Sequence, residues 1–269
     1  MKNLLPLLFT ISLFISCEDV VEVPLQEAEP RLIVDAIIEW EKGTSGSSQS
    51  IKLSRTRGFF EEDPIPVTGA EILIENSYGI EFPFEEDKAG TYTTKSFLPE
   101  FGQTYTMTIE LDGQTYTAVE TMTPVSDIEF VQQNDAGGFS GENTELKVFY
   151  TDKKGEDNFY LFKYFAPFLA YPDLSTFDDE FNDGNRIFGI FSNEDLAKDM
   201  DVRIKLYGIS KDYYNFLEIL LAQADSAGGP FETQPATVRG NISNTQNPDE
   251  LVFGYFGLSE VDQVIYTIQ

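Results

Sequence analysis

Residues 104–119, TYTMTIELDGQTYTAV, decide the fold. Tyr105, Met107, Ile109 and Leu111 point one way and Thr104, Thr106, Thr108 and Glu110 the other, the period-two pattern of a half-buried strand. Asp112-Gly113 then separates two such runs by two residues, the strongest short hairpin signal, because both positions of a type I′ turn need positive φ. Working outward, Ser50–Ser54 and Glu71–Glu75 alternate likewise, with Ile51 and Leu53, then Ile72 and Ile74, on one face. Gly90-Thr91-Tyr92 and Gly102-Gln103-Thr104-Tyr105 repeat a glycine-to-tyrosine unit at strand starts. Tyrosines so placed anchor sandwich corners by hydrogen-bonding back to the turn. The chain is therefore expected to be mainly β, with an immunoglobulin-like β-sandwich over residues 31–125.

A second, β-rich domain is expected over residues 126–269. Its strands are read around Ile128–Gln132, Thr144–Thr151, Asn158–Phe168 and Asp199–Tyr207. One amphipathic helix is expected near 210–227. Ser210 can cap it, and Tyr213, Phe216, Leu217, Leu220, Leu221 and Ala224 form an apolar stripe, so Leu217 and Leu220 are both expected to be buried. Gly228-Gly229-Pro230 supplies the stop. Val264, Tyr266 and Ile268 alternate at the end of the chain, as in a last strand at or near the sheet edge.

The amino terminus, MKNLLPLLFTISLFISC, places Lys2 before an apolar stretch from Leu4 to Ile15, with Ser16 preceding Cys17. That stretch falls short of the roughly 20 residues a spanning helix needs, so residues 1–17 read as a signal segment. Leu13-Phe14-Ile15-Ser16-Cys17 resembles a bacterial lipobox, which makes Cys17 the lipidation site, although Phe14 is an imperfect residue there. The competing reading is an ordinary signal peptide. Several acyl chains, at roughly 0.8 kcal/mol per buried CH₂, would anchor the protein without a spanning helix. Residues 18–30, acidic and without periodicity, read as a tether.

Composition excludes more than it suggests. The 269 residues contain no histidine, and Cys17 is the sole cysteine. Ser-His-Asp and Cys-His nucleophilic sites, histidine- or cysteine-based zinc sites and intrachain disulfides are thereby removed. A net charge of −28 repels phosphate backbones, so no nucleic-acid partner is expected. The acid-rich stretch Asp173–Asp183 fails EF-hand spacing, since Gly184 at the sixth position would put Phe181 at the third, and it reads as a solvated loop. Asp152–Asp157 reads as a polar turn. No metal, cofactor or catalytic residue is assigned. Trp40 alone offers no tryptophan platform for sugars, and Phe59-Phe60 form an apolar tip beside Glu61, Glu62 and Asp63.

The carboxyl-terminal third carries Ile209-Ser210 and Tyr214 with a helix, then Pro230-Phe231, Pro235, Gly240-Asn241-Ile242 and Gly254-Tyr255-Phe256. With Cys17, the acidic stretch, Glu29–Val34, Val67–Ala70 and Gly102–Tyr105, this order resembles a Bacteroidota lipoprotein family known as domain of unknown function 4249. The resemblance spans nearly the whole chain, and the polar stretch Asn244–Glu250 departs from its shorter glycine turn. Members of that family are often encoded beside TonB-dependent transporters. The resemblance therefore implies a lipid-anchored outer-membrane accessory protein at the cell surface, a non-catalytic partner of such a transporter in substrate capture or uptake. Acidic residues behind the lipidated cysteine resemble the signal for the outer face, with a periplasm-facing linker as the alternative. A carboxylate-dependent hydrolase of glycans or peptides, or an adhesive or structural surface lipoprotein, are the competing functions.

Overall fold

The structure, a computed structural model, describes residues 29–58, 64–138, 141–225 and 238–269. Its strands run β1 (Leu32–Glu41), β2 (Gln49–Arg55), β3 (Ile65–Pro66), β4 (Glu71–Asn76), β5 (Glu81–Lys88), β6 (Thr91–Thr94), β7 (Thr104–Leu111), β8 (Gln114–Thr121), β9 (Ile128–Gly137), β10 (Asn143–Thr151), β11 (Phe159–Phe165), β12 (Asp173–Asp178), β13 (Arg186–Asn193) and β14 (Asp201–Ile209). Helix α1 (Lys211–Asp225), β15 (Ser243–Asn244) and β16 (Phe253–Thr267) follow.

The deciding hairpin forms as the alternation requires. Asp112 and Gly113 take φ of 52° and 75°, and β7 pairs with β8 in unbroken register from Leu111↔Gln114 to Thr104↔Thr121. Tyr105, Met107, Ile109 and Leu111 are buried. The first sandwich sets β16-β1-β2-β6 against β4-β7-β8-β15. Strand β5 belongs to both layers: Glu81–Phe84 pair with β4, and Glu85–Lys88 pair with β6. Both tyrosine corners are closed. Tyr105 donates to Leu98 O at 2.8 Å and accepts from Glu100 N at 3.0 Å. Tyr92 donates to Val67 O and accepts from Ala70 N, each at 3.0 Å. The mainly β, immunoglobulin-like reading of the first module is what the chain adopts.

The second sandwich sets β12-β11-β14-β16 against β13-β10-β9 around a tyrosine- and phenylalanine-rich core containing Tyr150, Tyr160, Phe162, Tyr164 and Phe191. One expectation is corrected here and one is extended. Val264 and Tyr266 lie at the sheet edge as read, since residues 261–267 of β16 pair antiparallel with β14 alone, but the same strand begins at Phe253, and its residues 253–261 pair in parallel with β1. Fifteen residues of strand extend roughly 50 Å, enough to cross both sandwiches. Moreover, Ile242, Val252, Phe256 and Leu258 lie in the first core, so a boundary at residue 125 does not partition the chain.

The glycines of the carboxyl-terminal third make this crossing sterically possible. A Cβ on Gly254, whose φ is +96°, would stand 1.9 Å from Val34 O, and one on Gly240 would stand 1.8 Å from Gly254 O. Between them Asn241 brackets Phe256, donating to its carbonyl at 2.8 Å and accepting from its amide at 2.9 Å.

Helix α1 covers the outer face of β11, β14 and β16. Ser210 Oγ caps it by accepting from Tyr213 N at 3.2 Å. Leu217 is 3% exposed but Leu220 is 40% exposed, so the expected stripe is buried only through its first turns. The reason is geometric: Glu218 already meets Thr176 of the outermost strand β12, and the following turn has passed the sheet edge. The glycine-proline stop lies outside the described residues.

Candidate functional site

The segment from Met122 to Ile128 carries the chain from one sandwich to the other, and charged side chains hold its backbone. Lys42, at the end of β1, donates to Val125 O at 2.8 Å and pairs with Asp127. From β16, Glu260 accepts Val125 N at 2.8 Å and Asp262 accepts Ile128 N at 2.7 Å. Pro124 runs over Gly208, where a Cβ would lie 1.9 Å from its carbonyl oxygen. Beside this crossing opens a cleft of about 420 Å³, lined by Lys42, Ser126, Thr151, Lys153, Asn158 and Tyr160.

Tyr160 links the cleft to a group of acids. Its hydroxyl donates to Asp152 Oδ1 at 2.7 Å; burial, and then this carboxylate, push the phenol above its ordinary range, against a bond to Ser126. Carboxylate oxygens of Asp152, Asp179 and Asp183 lie within 4.8 Å of one another. The solvated-loop reading of Asp173–Asp183 is thus corrected: Asp173–Asp178 is strand β12, and Asp179 is 7% exposed. Asp152, read as part of a polar turn, is 3% exposed. Strand parity would have found it, since Leu146, Val148, Tyr150 and Asp152 share the inward face. Three carboxylate oxygens offer a hard cation part of the six to eight it needs. They also staple two loops: Asp152 Oδ2 accepts Gly184 N at 2.8 Å and Asp183 Oδ1 accepts Gly155 N at 2.6 Å.

A second polar centre lies on the outer sheet face. Glu39 accepts from Lys205 at 2.7 Å and Tyr207 at 2.8 Å, with Lys163 at 3.6 Å. Burial alone would raise the Glu39 carboxyl, but the two lysines and the tyrosine outweigh it and hold it below its ordinary value. Burial lowers Lys163, and Glu39 and Asp35 oppose that shift. At the helix start, Glu120 accepts from Thr121 N, Ser210 Oγ and Tyr255 Oη at 2.8, 2.9 and 3.3 Å. Burial nevertheless pushes its carboxyl up, and Asp212 adds to the rise. Neither centre has a sequence motif, because each is assembled from strands far apart in the chain.

Cys17, Phe59, Phe60, Pro230, Phe231 and Pro235 lie outside the described residues. Asn244, in the polar stretch before β16, is fully buried and donates to Glu250 and Gln114 while accepting from the Gln246 and Asn247 amides. The longer turn is therefore a self-bonded plug.

These features define a two-sandwich, immunoglobulin-like β protein whose sandwiches are joined through one strand and a polar crossing. The chain belongs to the family described as domain of unknown function (DUF4249), which it matches over residues 18–265. Among solved structures it is similar to a two-domain fibronectin type-III segment of chicken tenascin, at 16% identity over 66% of this chain and 90% of that one, with a TM-score of 0.22. It is also similar to a DUF4785 family protein of Legionella pneumophila, at 10% identity over 66% of this chain and 52% of that one, with a TM-score of 0.27. No curated protein matches.

Proposed function

We propose that the protein is a lipid-anchored outer-membrane accessory protein, displayed at the cell surface and acting as a non-catalytic partner of a TonB-dependent transporter in substrate capture or uptake. The observation that carries the reading is the sole cysteine, Cys17, closing an apolar signal segment and followed by the acidic residues 18–30 that lead into β1. Among the described residues no helix is long and apolar enough to cross a membrane, so membrane attachment in this reading falls to Cys17. The family to which the chain belongs, and the order of its motifs, support the association with a transporter.

The test is Cys17→Ala in the native host, followed by fatty-acid labelling, membrane fractionation and mild-detergent purification with identification of companions. The reading expects labelled, membrane-bound wild type that brings down a transporter, and an unlabelled, released variant that does not. A variant still labelled and membrane-bound contradicts the anchor, and a labelled wild type that purifies without a transporter contradicts the partnership.

A further inference from the structure

Exposed strand edges are templates for further pairing, and folded proteins guard them with charges, prolines or bulges. The second sandwich presents four such edges, at β12, β9, β13 and residues 262–267 of β16, the last guarded by Asp262, which accepts Ile128 N, and by the Gln269 amide bonded to Gln133 of β9. Strand β12 begins and ends on Asp173 and Asp178, and β9 carries Glu129, Gln132, Gln133, Asn134 and Asp135. Strand β13 reads RIFGIFSN, without lysine, acid or proline, and pairs evenly with β10 along its whole length. Among the described residues no strand lies on its other side. Its outward face exposes Phe188 by 38% and Ile190 by 44%. Phe188 ends a cross-strand aromatic row with Phe149 and Phe130, at ring distances of 5.1 and 4.5 Å.

We infer that β13 is a self-association edge, pairing antiparallel with β13 of a second copy about a two-fold axis at Ile190. Side-chain parity requires the axis to pass through a residue, since a one-residue slip would set the outward face of one strand beside the inward face of the other. The axis at Ile190 brings Arg186, at the start of β13, to the end of the second copy's β13, where the exposed turn residue Glu194 follows Asn193, and symmetry repeats the contact, so the two ends of the edge are complementary in charge. Ile190 then meets Ile190, and Phe188 meets Ser192. Arg186 is already paired through Nε with Glu129 at 2.7 Å, and its planar fork has further N–H donors to offer. The overall charge of −28 opposes association at low salt and is screened over about 8 Å at 0.15 M.

The test uses the full chain in mild detergent, carrying Cys17→Ala so that an introduced cysteine is the only one. Ile190→Cys puts two thiols directly opposite, within disulfide reach, whereas Ser192→Cys does not. Rapid oxidative crosslinking of Ile190→Cys, at least tenfold faster than Ser192→Cys, is expected. Sedimentation at 0.15 M salt is expected to give a dimer that Ile190→Lys weakens at least tenfold. Arg186→Glu is expected to dissociate it, and adding Glu194→Arg to restore it. A monomer at about 100 μM, equal crosslinking at both positions, or a dimer untouched by Ile190→Lys would overturn the inference.

Discussion

The first sandwich draws β1 to β8 from one continuous stretch between Leu32 and Thr121 but must recover β15 and residues 253–261 of β16 from the far end of the chain, whereas the second takes all its strands from residues 128–267. In the first, short turns fix register locally: Asp112-Gly113 sets β7 on β8, and Tyr92 and Tyr105 tie loops back to strands. In the second, β14 is flanked by β11 and by residues 261–267 of β16, a strand whose residues 253–261 pair with β1. The two regions thus differ in how they are specified, and the shared strand makes the first core depend on the same strand that pairs with β14 in the second. Four substitutions break or sharpen that contrast.

The largest effect is expected on the helix that covers the seam. Leu217→Ala removes a buried side chain that belongs to the cluster with Tyr207 and Tyr255, and should cost about 2–5 kcal/mol. Leu220→Ala, on the exposed turn, should stay within about 0.5 kcal/mol. Urea midpoints of the two variants check this, and equal losses would mean that the helix lies deeper over the sheet than its exposure implies. Next comes the local anchor. Tyr105→Phe leaves the Glu100 amide without its acceptor and the Leu98 carbonyl without its donor, and should cost about 1–3 kcal/mol. The loss should appear with retained backbone circular dichroism.

The smallest effect is pH-dependent. Burial raises the folded-state value of Glu120, so the folded chain holds that proton more tightly than the unfolded one. Keeping the carboxyl ionised costs stability above its folded value, and this cost fades as pH falls from there towards the ordinary carboxylate range near 4.3. Glu120→Gln should therefore be more stable than wild type at pH 7, with an advantage that shrinks on acidification. Parallel stability-versus-pH curves for the two proteins would show that the three donors, not burial, dominate.

Which parts were legible follows from the range of the signal. The hairpin, β2, β4, β14 and the capped helix announce themselves within ten or fifteen residues. Strands β12 and β13 did not. Acids at both ends of Asp173–Asp178 disguise its alternation, and β13 exposes Phe188 and Ile190 where an outward face usually carries polar side chains. The role of β16 was hidden because alternation at Val264, Tyr266 and Ile268 says nothing about neighbours, and a parallel partner more than 200 residues earlier leaves no local mark. Of the polar centres, only Asp152 had a readable clue in its strand parity. Gly240 and Gly254 were visible as motif residues, but their reason, the close approach of Gly240 to Gly254 and of Gly254 to Val34 of β1, needed the fold.

The most direct test of the shared strand is scanning calorimetry of the protein beside Phe256→Ala. Phe256 comes from the carboxyl-terminal strand yet is buried in the first core, and its truncation should cost about 3–5 kcal/mol. One endotherm with equal calorimetric and van't Hoff enthalpies is expected, displaced as a whole to lower temperature in the variant. Two endotherms, with only the one belonging to the first sandwich displaced, would show that the sandwiches fold separately and that β16 does not unite them.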